Sequence, residues 1–173
     1  MNLVFTVIEH NINCGIYVEH ENNNSYLYLN RIFGNGQFDF YCDEKTSLNI
    51  NNNWWGTNNP NITSNDKKHR YNIYISPNAN FTLDSWIILS VDYKSYFIKN
   101  NILDSANLVI NLNFNNKYQD ISNLGHIPDN LKVYFSYGNQ TVTSFLKDGK
   151  ATIYVNLSNV YVNNFVTFIG FLD

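Results

Sequence analysis

A chain of 173 residues holds one domain of ordinary size or two small ones, and it is long enough to bury a core. Roughly one residue in five is Asn, Ala, Pro and Met are scarce, and the apolar content comes from Tyr, Phe, Ile and Val. Asn is a poor helix former and the others prefer strands, so helical architectures are excluded and an all-β chain is predicted. The formal net charge of -3 carries no electrostatic footprint for nucleic acid, and no apolar run is long enough to span a membrane as a helix.

The opening "MNLVFTVIEHNINCG" has neither a basic leader nor a small-residue cleavage site, so no signal peptide is expected. Its "FTVIEHNINCG" reads as a partial unit of the repeat that follows, with no polar cap ahead of it. "GIYVEHENNNSYLYLNRIFGNG" begins at Gly15 and "QFDFYCDEKTSLNINNNWWGTN" at Gln37, and they overlay with a shift of 22 residues. Ile16 and Val18 then fall on Phe38 and Phe40, and Tyr26 and Tyr28 on Leu48 and Ile50. Asn30 falls on Asn52, Ile32 on Trp54, Phe33 on Trp55 and Gly34 on Gly56. Each unit holds two short alternating strands between polar turns. One such unit cannot bury its inward side chains alone, so the pattern predicts the stacked coils of a right-handed parallel β-helix over residues 1–56.

Two features of these coils bear on function. Asn30 over Asn52 predicts an asparagine ladder, the amides bonding along the stack. Trp54 and Trp55 stand where the repeat stops, and at least one indole is expected to cap apolar surface that has no next coil; the rival reading is an aromatic platform for a glycan.

Catalysis on a β-helix needs carboxylates converging from neighbouring coils, as an acid/base pair or around a metal. The candidates are Glu19, Glu21, Asp39, Asp43 and Glu44. Glu21 stacks over Asp43 under the same shift, the one pair the repeat offers to Ca²⁺, although two solvated turn acids are the simpler reading. Arg31 and Lys45 read as surface choices. His10, His20, His69 and His126 have no metal-ligand spacing, and His126, just ahead of an Ile-Pro turn, reads as a structural hydrogen bonder. Cys14 and Cys42 read as small buried thiols rather than a disulfide. No nucleophile motif, phosphate loop or cofactor box occurs, so neither an enzyme nor any other cofactor is expected.

Residues 57–85 read as an irregular connector and capping segment. "YNIYIS" adds one strand over the end of the stack, and Lys67-Lys68-His69-Arg70 forms a solvated loop. From Trp86 to Asp173, strand and turn signals alternate at the spacing of an Ig-like β-sandwich: "WIILSVDY", "ANLVINLNFN", "KVYFSYG", "TVTSFL", "KATIYVNL" and "FVTFIGFL". "HIPDN" and "KDGK" supply the turns, Pro fixing φ and Gly allowing positive φ. Such a sandwich usually has about seven strands, so a missing last strand and an open edge are expected. Asn-x-Ser/Thr sequons stand at Asn23, Asn61, Asn80, Asn139 and Asn156 and permit glycosylation of a secreted chain.

"NINNNWWGTNNP", then "SWIILSV", then "NLGHIPDNLKVYF" with "KDGKATIYV" resembles a junction found in the large Asn/Thr-rich, adhesin-like surface proteins of methanogenic archaea. In that family a right-handed β-helix ends in a Trp-Trp-Gly coil and a bacterial-Ig-like sandwich follows. The resemblance covers nearly the whole chain. It implies a non-enzymatic cell-surface adhesin or stalk whose partners are glycans or proteins of other cells, with no nucleic acid and no membrane insertion. The short run of coils, the missing leader and the single sandwich imply a fragment of a larger surface protein. A carbohydrate-active β-helix enzyme and a truncated remnant with no role of its own are the alternatives. Unpaired strand edges further imply self-association.

Overall fold

The computed structural model describes residues 2–19, 25–43, 47–66, 71–99, 102–137, 140–156 and 169–172, with the backbone course alone at 93–99, 102–104, 137, 140 and 169–172. The chain is all-β: among the described residues one 3₁₀ turn, Ser122–Leu124, interrupts the strands, and none of them forms a helix long and apolar enough to cross a membrane.

Short apolar-alternating runs broken by Asn and Gly form the strands of the first half. In order they are β1 (Asn2–Val4), β2 (Val7–Glu9), β3 (Cys14–Val18), β4 (Ser25–Tyr28), β5 (Arg31–Phe33), β6 (Phe38–Cys42), β7 (Ser47–Asn49), β8 (Ile62–Thr63), β9 (Tyr71–Ile75) and β10 (Asn80–Thr82). All pair in parallel, in three sheets ordered β1-β4-β7-β10, β2-β5 and β3-β6-β9-β8, with Trp54 bridging Arg31 beyond β5. Successive passes of the chain therefore lie on one another, and inward side chains meet like neighbours: Ile16 on Phe40, Phe40 on Ile73, and Leu27 beside Leu3.

The pairing corrects the 22-residue overlay. Val7 pairs with Arg31, Cys14 with Phe38 and Val18 with Cys42, a longer step; in the next pass Ser25 pairs with Leu48, Tyr26 with Asn49 and Arg31 with Trp54. Tyr26 therefore lies beside Asn49 rather than Leu48, and Trp54 beside Arg31 rather than Ile32. A single-residue slip exchanges the two faces of a strand, so the overlay had matched outward tyrosines with inward aliphatics.

Residues 57–85, expected as a connector with one added strand at "YNIYIS", carry that strand as β9 and two more, β8 and β10, in the same stack. β9 pairs along the whole of β6, and β10 along β7. Phe81, Ile73 and Ile75 thus cover the pass that at least one of Trp54 and Trp55 is expected to close. The chain leaves at a corner: Asn52 N donates to Ser85 O, and Ile87 N donates to Asn53 O at 2.9 Å each.

The second half contains β11 (Ile87–Lys99), β12 (Ile102–Asn115), β13 (Lys132–Tyr137), β14 (Gln140–Phe145), β15 (Lys150–Asn156) and β16 (Ile169–Leu172). They form two antiparallel sheets, ordered β11-β12-β15 and β14-β13-β16. Each of the six expected segments contains a strand, although the first half of "FVTFIGFL", residues 165–168, lies outside the described residues, and β11 and β12 run on into a longer hairpin than the pattern marked. The turn at "KDGK" places Asp148 and Gly149 at φ of 51° and 72°, the left-handed region the glycine was read for.

One apolar cluster joins Ile110 and Leu112 of β12, Val133 and Phe135 of β13, and Ile153 and Val155 of β15. The same cluster takes in Leu29, Phe33 and Trp54 from the parallel stack. A second cluster fills the stack itself, around Phe40, Ile50, Trp55 and Ile73. The two halves are therefore joined through shared core.

Candidate functional site

The outward face of the first sheet carries the least explained side chains. In β4, Ser25 and Leu27 point into the stack, which leaves Tyr26 and Tyr28 on the outside. Their ring centroids lie 5.7 Å apart at 41°, and Phe5 meets Tyr28 edge-on at 6.2 Å. Tyr26 is 40% exposed. Alongside, β7 turns Asn49 outward and the chain bends through Asn51 and Asn52, the latter at φ 54°.

Each of these asparagines commits its carbonyl oxygen to the fold. Asn49 Oδ1 accepts the Asn51 N–H at 3.0 Å. Asn51 Oδ1 accepts the N–H groups of Asp84 and Ser85 at 2.7 and 3.1 Å, and Asn52 Oδ1 accepts the Ser85 hydroxyl at 2.8 Å. The three amide NH₂ groups have no partner among the described residues. Leu124, on the 3₁₀ turn of the second half, overhangs this face. The next residue, Gly125, approaches so closely that a Cβ would meet the Phe5 ring at 2.9 Å, and its φ is 118°. Together Tyr26, Tyr28, Asn49, Asn51, Asn52 and Leu124 line a groove of about 420 Å³.

Trp54 and Trp55 are both buried, 2% and 0% exposed, so neither offers a platform to a glycan. They point opposite ways. Trp55 enters the stack against Phe40, and Trp54 enters the core shared with the second half. Neither indole N–H has a hydrogen-bond partner among the described residues. The physical reason is the register: Trp54 takes the outward slot of Arg31, and that outside is covered by the second half.

The ladder expected of Asn30 and Asn52 forms with Asn53 instead. Asn30 Nδ2 donates to Asn53 Oδ1 at 2.9 Å and to Leu3 O at 2.9 Å, while Asn30 Oδ1 accepts the Thr6 N–H at 2.9 Å. Asn53 Nδ2 continues to Leu27 O and Ile50 O at 2.8 Å each. A second row, not read from the sequence, runs from Asn11 through Asn35 to Asp39 and from there to Asn72 Nδ2 at 2.7 Å. Asp39 is thereby buried as an acceptor in a structural row.

Of the proposed Ca²⁺ pair, Glu21 lies outside the described residues, and Asp43 follows Cys42 at the end of β6, where Val18 pairs with Cys42. Glu44, Lys45, His20, His69 and the Lys67–Arg70 run also lie outside them, as do the sequons at Asn23 and Asn139. Asn61, Asn80 and Asn156 are exposed. Cys14 and Cys42 are not joined in a disulfide; burial pushes the Cys14 thiol up, against a smaller opposite pull from a backbone hydrogen bond at Phe38.

Arg31, read as a surface residue, is buried. Its guanidinium pairs with Glu9 at 2.9 Å and donates to Pro128 O and Asp129 O at 3.3 and 3.2 Å, linking the stack to the "HIPDN" turn. It borders a second groove of about 430 Å³ together with Glu9, His10 and Lys132. His126 sits on the same turn. Its Nδ1 lies 3.6 Å from Asp129 Oδ1 and its Nε2 3.2 Å from Asp148 Oδ1. The three groups could surround a cation, but an imidazole offers one nitrogen to a given ion. With both ring nitrogens facing carboxylates, the geometry suits a structural bridge between two turns.

Comparison with known proteins returned no matching family model, curated protein or solved structure.

Proposed function

We propose that this chain is a non-enzymatic, adhesin-like cell-surface module of a larger Asn/Thr-rich protein, with the last coils of a right-handed parallel β-helix joined to a bacterial-Ig-like sandwich. The observation that carries this reading is the junction. Parallel passes locked by buried amide rows meet an antiparallel half through a common core of Leu29, Phe33 and Trp54 with Ile87 and Leu112, clamped at the rim by Arg31. Such a joint resists bending, which a stalk or a binding face held away from a cell requires. Asp39, a candidate for acid/base chemistry, is bound by amides of Asn35 and Asn72, which favours a binding role over hydrolysis or elimination.

Protease shaving of intact producing cells, followed by mass spectrometry of peptides from this chain, tests the proposal. Release from whole cells before lysis is the expected result. Peptides found only after lysis would overturn it.

A further inference from the structure

We infer that the groove on the outward face of the first sheet binds a neutral saccharide chain, a step that rests on the surface-module reading above. Three observations on that face converge. The NH₂ groups of Asn49, Asn51 and Asn52 are donors without partners among the described residues, and their orientation is set because each carbonyl oxygen is taken by the fold. Tyr26 and Tyr28 add two phenolic hydroxyls that likewise have no partner among the described residues, and two ring surfaces beside the amides. No described lining residue is charged.

These groups select a ligand class. A row of NH₂ donors calls for a ligand rich in hydroxyl and ether oxygens, and phenols can donate or accept. An aromatic ring presents a negative face, on which the weakly positive C–H face of a sugar ring rests while its hydroxyls reach sideways. An acidic polymer finds no Lys or Arg among the described lining residues, and the exposed Asp84, whose N–H caps Asn51, would repel it. A basic peptide finds no carboxylate among the described lining residues. At about 420 Å³ the space falls within the roughly 300–1,000 Å³ usual for small-ligand sites. Leu124, 48% exposed at one wall, gives a neutral ligand apolar surface to cover.

Affinity electrophoresis of the whole chain through native gels containing dextran, mannan, laminarin, polygalacturonate or alginate tests this. At least one of the three neutral polymers should retard the protein, and the two acidic ones should not. Tyr26→Ala removes the exposed ring. Asn52→Asp keeps an oxygen that accepts the Ser85 hydroxyl and replaces the NH₂ donor with a second, negatively charged acceptor oxygen. Each should weaken retardation at least tenfold, while Tyr17→Ala, an exposed tyrosine on the third sheet, should not. Asn52→Asp carries the test if Tyr26→Ala melts. No retardation by any neutral polymer, retardation by acidic polymers alone, or variants that bind like the parent would each overturn the inference. Shaving can succeed while retardation fails, which removes the groove and leaves the surface module standing; retardation without surface exposure does the reverse.

Discussion

At the scale of the residue, burial decides what each singled-out side chain does. Arg31 and Glu9 are 8% and 13% exposed at their side chains, so removing one partner strands a charge in poor solvent. Breaking such a pair from one side costs about 3 kcal/mol, and replacing both members costs far less. Urea unfolding should therefore show Arg31→Met losing about that much and Glu9→Gln/Arg31→Met recovering a large part of it. Nothing in "LNRIFGNG" marks Arg31 as internal, because its cover comes from Pro128 and Asp129, nearly a hundred residues away. Trp54 is hidden for the same reason, its cover coming from the second half, whereas Trp55 is covered within the stack itself. Of three indoles only Trp86 is partly exposed, so iodide should quench a minor share of the emission, and saturating neutral polysaccharide should leave the spectrum of Trp54 and Trp55 unshifted. Quenching of most of the emission would place an indole at the surface. The thiols give a parallel check. Cys42 is buried and burial pushes the Cys14 thiol up, so both should react slowly with a thiol reagent at pH 8 in the native chain and promptly in urea.

At the scale of the element, strand alternation was legible and register was not. Side chains alternate with a period of two, so Ile16 and Val18 fit inward whether they rest on Phe38 and Phe40 or on Phe40 and Cys42. Only turn geometry distinguishes these choices, and the asparagine-rich turns offer several equivalent bends. Where the step changes by one residue the consequence is larger. Tyr26 and Tyr28, inside the pattern "SYLYL", declare themselves outward by alternation with Leu27 and Leu29, yet the overlay set them on inward residues. That slip hides the groove and puts Asn52 rather than its neighbour Asn53 in the asparagine ladder. The two asparagines separate cleanly by mutation. Asn53→Ala removes the acceptor of Asn30 and the donor to Leu27 O and Ile50 O, each a buried group worth about 1–3 kcal/mol when left unpaired. Asn52→Gly loses one bond to Ser85 and suits the φ of 54°. Thermal unfolding should fall steeply for Asn53→Ala and by only a few degrees for Asn52→Gly; the reverse order would restore Asn52 to the ladder.

At the scale of the whole molecule, the question is whether the parallel and antiparallel halves are one folding unit. A boundary drawn at residue 56 or 86 from composition places Phe33 in the first part, and the strands do change from parallel to antiparallel between β10 and β11. The apolar core does not follow that boundary, since Leu29, Phe33 and Trp54 belong to the cluster of Ile87, Leu112 and Val155. Gly56 lets the backbone pass where a Cβ would lie 2.7 Å from Phe33 Cβ, which holds the ring in that junction. Phe33→Ala should cost about 3–5 kcal/mol, as large-to-small core changes do. If the junction couples the halves, the loss is shared. Hydrogen exchange of peptides from β4 and β5 and of peptides from β12 and β15 should then accelerate together in Phe33→Ala, and denaturant curves followed by far-UV circular dichroism and by tryptophan emission should coincide. Acceleration confined to β4 and β5, with β12 and β15 exchanging as in the parent, would mean that the halves fold separately and that the shared core does not couple them.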